Sequence, residues 1–334
     1  MTTEGAEPRR LRWGILSTAD IARRKVIPGM RRGRRSEVVA IASRDEPTAR
    51  RVAAELGIPR AHGSYEALLA DPAVEAVYIP LPNHLHAEWT IAAAAAGKHV
   101  LCEKPVALTA VEAERMIAAC ERAGVLLMEA FMYRHHPSWR ATVDLVRNGA
   151  IGRLRAVDTW FSYYNDDPAN IRNIAAAGGG ALYDIGCYAI NVARLLFESE
   201  PVRVQASIER DAATGVDTLT TAILAFDAGV ATFGVSTRME PDQRVSIYGS
   251  EGRIAVEIPF NIPPDRPTHI SLTKGGDPPV APATERLSFD VADPYGAEAD
   301  AFAAAVLDGT PLPVRPWDAV ANLRVIERIL EVGG

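Results

Sequence analysis

Cysteine is scarce in this chain: there are three in 334 residues, and Cys102, Cys120 and Cys187 form no CxxC pair. This argues against a disulfide framework or a paired-cysteine zinc site and fits a reducing compartment. Long apolar runs are missing too, since none approaches the roughly 20 residues needed to cross a bilayer. The opening MTTEGAEPRRLRW has no apolar core of the secretory kind and reads as a short disordered arm. A cytoplasmic protein with no membrane partner is expected. Positive charge is not in surplus: the formal net charge is -6, which argues against a nucleic-acid partner. One local exception is Arg23 to Arg35, with seven basic residues in 13 positions. It reads either as a nucleic-acid patch or, the reading preferred here, as a solvated helix face close to an anionic cofactor.

What is present is the composition of a globular protein, 48% hydrophobic and 23% charged, at a length that suggests two domains. The first third alternates strand and helix signals. Strands are expected at Leu11 to Leu16, EVVAIAS, VEAVYIPLP, HVLCEKP and VLLMEAFMYR. Between them lie helices, the first broken near Pro28 and another, HAEWTIAAAAAG, rich in alanine. Buried apolar strands alternating with helices predict a parallel, doubly wound sheet, an α/β Rossmann domain over residues 1–132. From 133 to 334 the pattern changes. A helix at PSWRATVDLVRNG and the strand LRAVDTWFSYY lead to a glycine-rich helix start. Period-two strands with tight turns follow at VRVQASIER, TLTTAILAF, VATFGVST and RVSIYG. This predicts an α/β domain with a mostly antiparallel, open-faced sheet. Pro259 to Pro282 reads as loop, and helices at AEADAFAAAVLDG and WDAVANLRVIERILEV close the chain.

The first strand runs into Gly14-Ile15-Leu16-Ser17-Thr18-Ala19-Asp20-Ile21 and then a helix. Small residues there let a backbone approach a pyrophosphate and donate N–H groups from a helix start, so Gly14, Ser17, Thr18, Ala19, Asp20 and Ile21 are candidate cofactor contacts. A strict GxGxxG is absent, because Leu16 holds the second glycine position. The second strand ends at Ser43-Arg44. A hydroxyl and a guanidinium suit the 2′-phosphate of NADP better than the paired ribose hydroxyls of NAD. Asp45 adjoins them and keeps NAD open, and an ordinary surface turn is the plain alternative.

Three further segments carry chemistry: Pro82-Asn83-His84-Leu85-His86, Gly97 to Pro105 with Glu103-Lys104-Pro105, and Gly178-Gly179-Gly180-Ala181-Leu182-Tyr183-Asp184-Ile185-Gly186-Cys187-Tyr188. Together with GILSTADIA, the chain from residue 13 to about 330 resembles the glucose–fructose oxidoreductase / inositol dehydrogenase (Gfo/Idh/MocA) family. Tyrosine after Gly-Cys resembles the branch with dihydrodiol and xylose dehydrogenases. The resemblance implies oxidation or reduction of sugars, cyclitols or related small alcohols, and a homodimer or homotetramer joined through the C-terminal sheet.

Lys104 follows a strand and so sits at the carboxyl edge of the sheet, where open α/β folds bind ligands. Asp184 and Tyr188 share a face if their segment is helical. For Tyr188 to accept a proton near neutral pH, its hydroxyl must be drawn down from about 10 by about two to three pH units, equivalent to roughly 3–4 kcal/mol. A nearby Lys104 ammonium acts in that direction. The expected catalytic set is therefore Lys104, Tyr188 and Asp184. Pro82, Asn83, His86 and Glu103 are expected on the cofactor side, joined by Arg134 of Arg134-His135-His136-Pro137, which resembles the family's YR-x-HP segment. His135 and His136 diverge as neighbours and make no metal site. Arg172 and Asn191 are expected to bind a polyol. Phe161 and Tyr163 alternate with Trp160 and Ser162 as a core stripe or a sugar-stacking face.

The expected activity is NADP-dependent hydride transfer to or from a sugar or polyol. A ketoreductase acting on a nucleotide-linked deoxysugar is the alternative within the enzyme class. A non-catalytic dinucleotide or sugar sensor is the alternative outside it.

Overall fold

The computed structural model of the chain describes residues 9–275 and 283–333; the expected N-terminal arm lies mostly outside them. Six parallel strands form the first sheet: β1 (Leu11–Leu16), β2 (Ser36–Ala42), β3 (Arg60–His62), β4 (Ala76–Ile79), β5 (His99–Glu103) and β6 (Leu127–Ala130). Their order is β3-β2-β1-β4-β5-β6. Helices cover both faces, so the strands are apolar throughout rather than alternating: every residue of β4 is buried, as are Leu11, Trp13, Ile15 and Leu16 of β1. The winding reverses between β1 and β4, and that reversal opens a crevice at the strands' carboxyl ends.

Local signals set most helix ends. Asp45 accepts from Thr48 N at 2.9 Å to start α2 (Glu46–Leu56). Thr109 and Glu112 form a reciprocal cap on α5 (Ala110–Ala123), worth about 1 kcal/mol. The expected break at Pro28 does not occur. A single wide turn, Ala22–Val26, precedes α1 (Ile27–Arg32), and Ile27 N–H donates to Ala22 O five residues back. The wider turn makes room for a ring that would clash in an ordinary one. α3 (Tyr65–Leu69) and α4 (His86–Ala95) complete this layer.

The second sheet has eight strands in the order β14-β13-β12-β11-β7-β10-β9-β8. They are β7 (Leu154–Tyr164), β8 (Arg203–Arg210), β9 (Asp217–Ala225), β10 (Val230–Ser236), β11 (Arg238–Gly249), β12 (Gly252–Val256), β13 (Thr268–Lys274) and β14 (Ala283–Phe289). All pairs are antiparallel except β7 with β10. The loop expected from Pro259 to Pro282 is interrupted by β13. Its inward Ile270 and Leu272 alternate with polar residues inside a segment whose prolines and glycines mask the period. The stretch 276–282 lies outside the described residues.

Helices α6 (Pro137–Arg147) and α7 (Cys187–Phe197) pack on this sheet, α7 entered through a second wide turn, Leu182–Gly186. The last two helices, α8 (Pro294–Asp308) and α9 (Pro316–Val332), return to the first layer. α8 follows the second sheet in sequence but packs on α1, β1 and β2, with Phe302 against Trp13 at 5.4 Å between ring centres. Three carboxylates spaced along it bind part of the basic stretch. Asp293 accepts from Arg32 Nε at 2.8 Å, Asp300 accepts from the backbone of Arg34 and Arg35, and Asp308 pairs with Arg35 at 2.9 Å. Arg23 pairs with Glu55, and Arg31 donates to Leu56 O. Arg23, Arg32 and Arg35 thus join elements through carboxylates, while Arg24, Lys25 and Arg34 remain exposed, so the stretch is in part a joint between elements and in part a solvated face. Among the described residues no helix is long and apolar enough to cross a membrane.

Candidate active site

A cavity of about 520 Å³ opens where the carboxyl ends of β1, β4 and β5 face β7, the Leu182–Gly186 turn and α7. Its Rossmann wall comes from Ala19, Asp20 and Ile21 after β1, Pro80, Leu81 and Asn83 after β4, and Glu103 and Lys104 at the end of β5. The opposite wall includes Phe161, Tyr163, Arg172, Asp184 and Tyr188. The sequence segments that carry the expected chemistry thus meet in one place.

Asp184 is the electrostatic centre. The ammonium of Lys104 donates to its main-chain oxygen at 2.7 Å and to Oδ1 at 3.3 Å. Oδ2 accepts from Arg172 Nε at 2.9 Å and from the hydroxyl of Tyr163. Against the effect of burial, the two cations and the phenol hold the Asp184 carboxyl well below the usual carboxylate range. Burial lowers Lys104, but Asp184 together with Cys187 and Glu103 outweighs it and leaves the amine raised.

Lys104 Nζ also lies 4.9 Å from the centre of the Tyr188 ring. An amine at the end of β5 and a phenol on α7 therefore meet across one cavity, but the expected lowering of the phenol does not follow. The Tyr188 ring is packed among Phe131, Phe161 and Phe260, and its hydroxyl donates to Met132 Sδ at 3.6 Å. Burial pushes that hydroxyl well above 10. The ammonium does not counter this because it covers the ring face and is matched by Asp184 rather than pointing at the oxygen.

The glycine run lets these pieces approach. Gly178 sits against the first layer: a Cβ there would fall 2.2 Å from Leu108, and its carbonyl accepts from Asn83 Nδ2 at 2.9 Å. Gly180 has φ +113°, and a Cβ would fall 2.0 Å from the Asp217 carboxylate that caps the following turn at Leu182 N.

The β1 turn fits a pyrophosphate. Ser17 takes φ +136°, a region glycine favours, and its Oγ accepts from Ala19 N at 2.9 Å. The helix that follows presents its first N–H groups, which lack intrahelical partners, where Ala19, Asp20 and Ile21 line the cavity. Thr18 lies within the same turn. Gly14 is different: it sits inside β1, and a Cβ there would fall 2.6 Å from Leu68, so its smallness serves packing against α3. Ser43 and Arg44 follow β2, the neighbour of β1. The Asp45 carboxylate beside them is committed to capping α2, which removes it as a ribose ligand.

Four further expectations need correction. His86 is fully buried, with Nδ1 2.9 Å from Pro105 O and Nε2 2.8 Å from Leu81 O, so it is a clamp inside the wall rather than a ribose contact. Arg134 points away from the cavity and donates to Asp318 at 2.7 Å. Asn191 is buried, accepting from Tyr133 at 2.5 Å and donating to the same Asp318, and is closed to substrate. At the β4 end the lining comes from Pro80 and Leu81 rather than Pro82. His135 and His136 are both buried, and burial pushes them down to about 3 and about 4.

The cavity also holds residues that sequence reasoning did not assign to the site. Tyr163 was distinguishable only as one member of an alternating aromatic stripe. Phe161 and Tyr163 face the cavity, whereas Trp160 lies on the other face under Arg244, 5.7 Å from ring centre to guanidinium carbon. Tyr295 reaches the site from α8, and nothing in its local sequence signals this.

Comparison with known proteins agrees with this geometry. Residues 11–131 match an oxidoreductase family with an NAD-binding Rossmann fold, GFO/IDH/MocA, and residues 139–255 match the C-terminal domain of the same family. An uncharacterised oxidoreductase of Rhizobium meliloti is 46% identical, over 96% of each chain. A D-xylose 1-dehydrogenase (NADP+) of Haloferax volcanii is 42% identical, again over 96% of each. Among solved structures, the 3-ketoreductase KijD10 of Actinomadura kijaniata, in complex with NADP and TDP-benzene, superposes with a TM-score of 0.89 at 32% identity. That alignment covers 97% of this chain and 98% of the other.

Proposed function

This chain belongs to the GFO/IDH/MocA oxidoreductase family, and we propose that it is an NADP-dependent dehydrogenase or reductase acting on a free, uncharged sugar or polyol. The observation that carries the proposal is the convergence of Lys104, Asp184 and Tyr188 on one cavity at the carboxyl edge of the Rossmann sheet.

NADP supplies or accepts the hydride when bound. The Ser17–Ile21 turn and the helix start after it would hold the pyrophosphate, and Ser43 and Arg44 the 2′-phosphate. Lys104 sits where a substrate hydroxyl or carbonyl oxygen enters and donates a hydrogen bond to it. Tyr188, kept protonated by its aromatic surroundings, donates its proton to that oxygen in the reductive direction and takes it back in the oxidative one. Asp184 fixes the ammonium through Oδ1 and keeps Arg172 and Tyr163 aligned through Oδ2, leaving both beside the space for further sugar hydroxyls. Phe161, Met132 and Tyr188 form the apolar part of the wall, which excludes water from the reacting carbon.

The charge census favours an uncharged substrate over a nucleotide-linked one. The cationic side chains on the lining are Lys104 and Arg172, and both are matched by Asp184, with Asp20 and Glu103 also present. No surplus positive charge is left for a diphosphate. The xylose dehydrogenase relative acts on a free sugar by its name, whereas KijD10 was crystallised with a TDP ligand.

The test is a substrate panel with purified protein. NADP reduction with aldoses such as D-xylose, or NADPH consumption with the matching keto compounds, is expected. Turnover confined to dTDP-linked keto sugars would overturn the free-sugar reading. Tight NADP binding with no turnover on either panel would point to the sensor instead.

A further inference from the structure

The turn that carries Lys104 is fixed by two buried side chains that never reach the cavity. β5 leaves its sheet at Glu103, and Lys104-Pro105-Val106 then turn away from β6, so their backbone polar groups lose ladder partners. Glu129, paired with Cys102 in the β5–β6 register and 2% exposed, accepts from Val106 N at 2.8 Å through Oε1. Its Oε2 is buried and has no partner among the described residues. One residue earlier in the turn, Pro105 O meets His86 Nδ1 at 2.9 Å. His86 Nε2 faces Leu81 O at 2.8 Å, at the end of β4.

Neither residue is an efficient way to stabilise a core. A neutral imidazole has one N–H, so one of the two carbonyls faces a ring lone pair. An unpartnered buried carboxyl oxygen costs about 1–3 kcal/mol. A fold retains such groups where they fix something that packing cannot. Here the two hydrogen bonds bracket the residue after Lys104, and the second arm of His86 ties that turn to Leu81, the neighbouring part of the crevice wall.

We infer that Glu129 and His86 are positioning residues that set where the Lys104 ammonium stands relative to Asp184 and the reacting oxygen. The inference rests on Lys104 acting in the proposed reaction.

The test uses the full-length protein with Glu129→Ala, Glu129→Gln and His86→Ala. Trace acetylation of the Lys104 amine, read by peptide mass spectrometry, reports the hold on the ammonium without requiring turnover. Labelling is expected to be several-fold faster in the two alanine variants and close to wild type in Glu129→Gln, whose amide oxygen still accepts from Val106 N. In the turnover assay, kcat is expected to fall at least about 10-fold in the alanine variants while NADP dissociation constants hold, since a displacement of about 1 Å is enough for such a loss. Wild-type labelling in both alanine variants, or Glu129→Gln behaving like Glu129→Ala, overturns the inference. Should the wild-type protein turn over no sugar, the proposed function fails while the labelling arm still decides whether the clamp exists.

Discussion

The Lys104 ammonium lies 4.9 Å from the centre of the Tyr188 ring, while the Tyr188 hydroxyl turns to the sulfur of Met132. The two groups therefore meet face to charge rather than charge to oxygen. The positive charge of Lys104 is matched by Asp184, and the phenol keeps its proton because its surroundings are apolar. Lysine then serves to orient a substrate oxygen, and tyrosine to hold the proton that oxygen exchanges.

This division of labour gives a mutational signature. Lys104→Met and Tyr188→Phe should each lower turnover by at least ~10²-fold while leaving NADP affinity nearly unchanged. Steady-state kinetics beside NADPH fluorescence titration separate the two effects. Retained turnover in either variant would contradict the assigned roles.

Tyr163 should act on substrate binding rather than on the chemical step. Its hydroxyl donates to the Asp184 oxygen that also holds Arg172. Tyr163→Phe removes a charge-assisted hydrogen bond and loosens the side of the cavity assigned to the remaining sugar hydroxyls. KM for the sugar is expected to rise by about 10-fold with a smaller change in kcat. An unchanged KM would mean that Arg172 and Lys104 suffice to order Asp184.

Cofactor choice should depend on Arg44. Among the described residues it has no ion pair, and the adjacent Asp45 carboxylate is occupied at Thr48 N. Arg44→Ala should weaken NADP binding by about 10- to 10²-fold, the loss of one charged hydrogen-bonding partner, and leave NAD binding as it was. Parallel calorimetric titrations with the two dinucleotides check this, and equal weakening of both would refute it.

Stability should carry the mark of Glu129, whose carboxyl burial pushes up from 4.5 to about 8. A carboxyl raised in the folded state binds more protons there than in the unfolded chain between those values. Its contribution is complete below about 4.5 and is lost as pH rises through about 8. Relative to Glu129→Gln, the wild-type protein should lose up to on the order of 4 kcal/mol across that window. Chemical denaturation at pH 5 and pH 9 measures it, and a difference between the two proteins that does not vary with pH would exclude this ionisation.

Where a pattern is local, the sequence already contained the answer. Period-two and buried apolar runs placed β1, β2 and β4 to β10, because side-chain alternation and helix caps depend on near neighbours, whereas the three residues of β3 are too few to show a period. The Thr109–Glu112 cap and the glycines ahead of Asp184 are of this kind. β13 escaped because prolines and glycines around it obscure an alternation only a few residues long. Pro28 misled because a widened turn, not visible from residue type, removes the clash that normally ends a helix.

Residue order alone calls for a dinucleotide-binding sheet followed by a second sheet, with a lysine after β5 and an Asp-x-x-x-Tyr pair ready for proton and hydride chemistry. How each polar side chain is spent was settled by folding. It gave Arg134 and Asn191 to Asp318, His86 to two carbonyls, Arg32 and Arg35 to carboxylates at the two ends of α8, and Tyr163 to Asp184. Those outcomes depend on partners up to some 270 positions away in the chain, and on burial that makes an unpaired charge too costly to leave. Neither distance nor burial is written in the spacing of residues along one strand or helix.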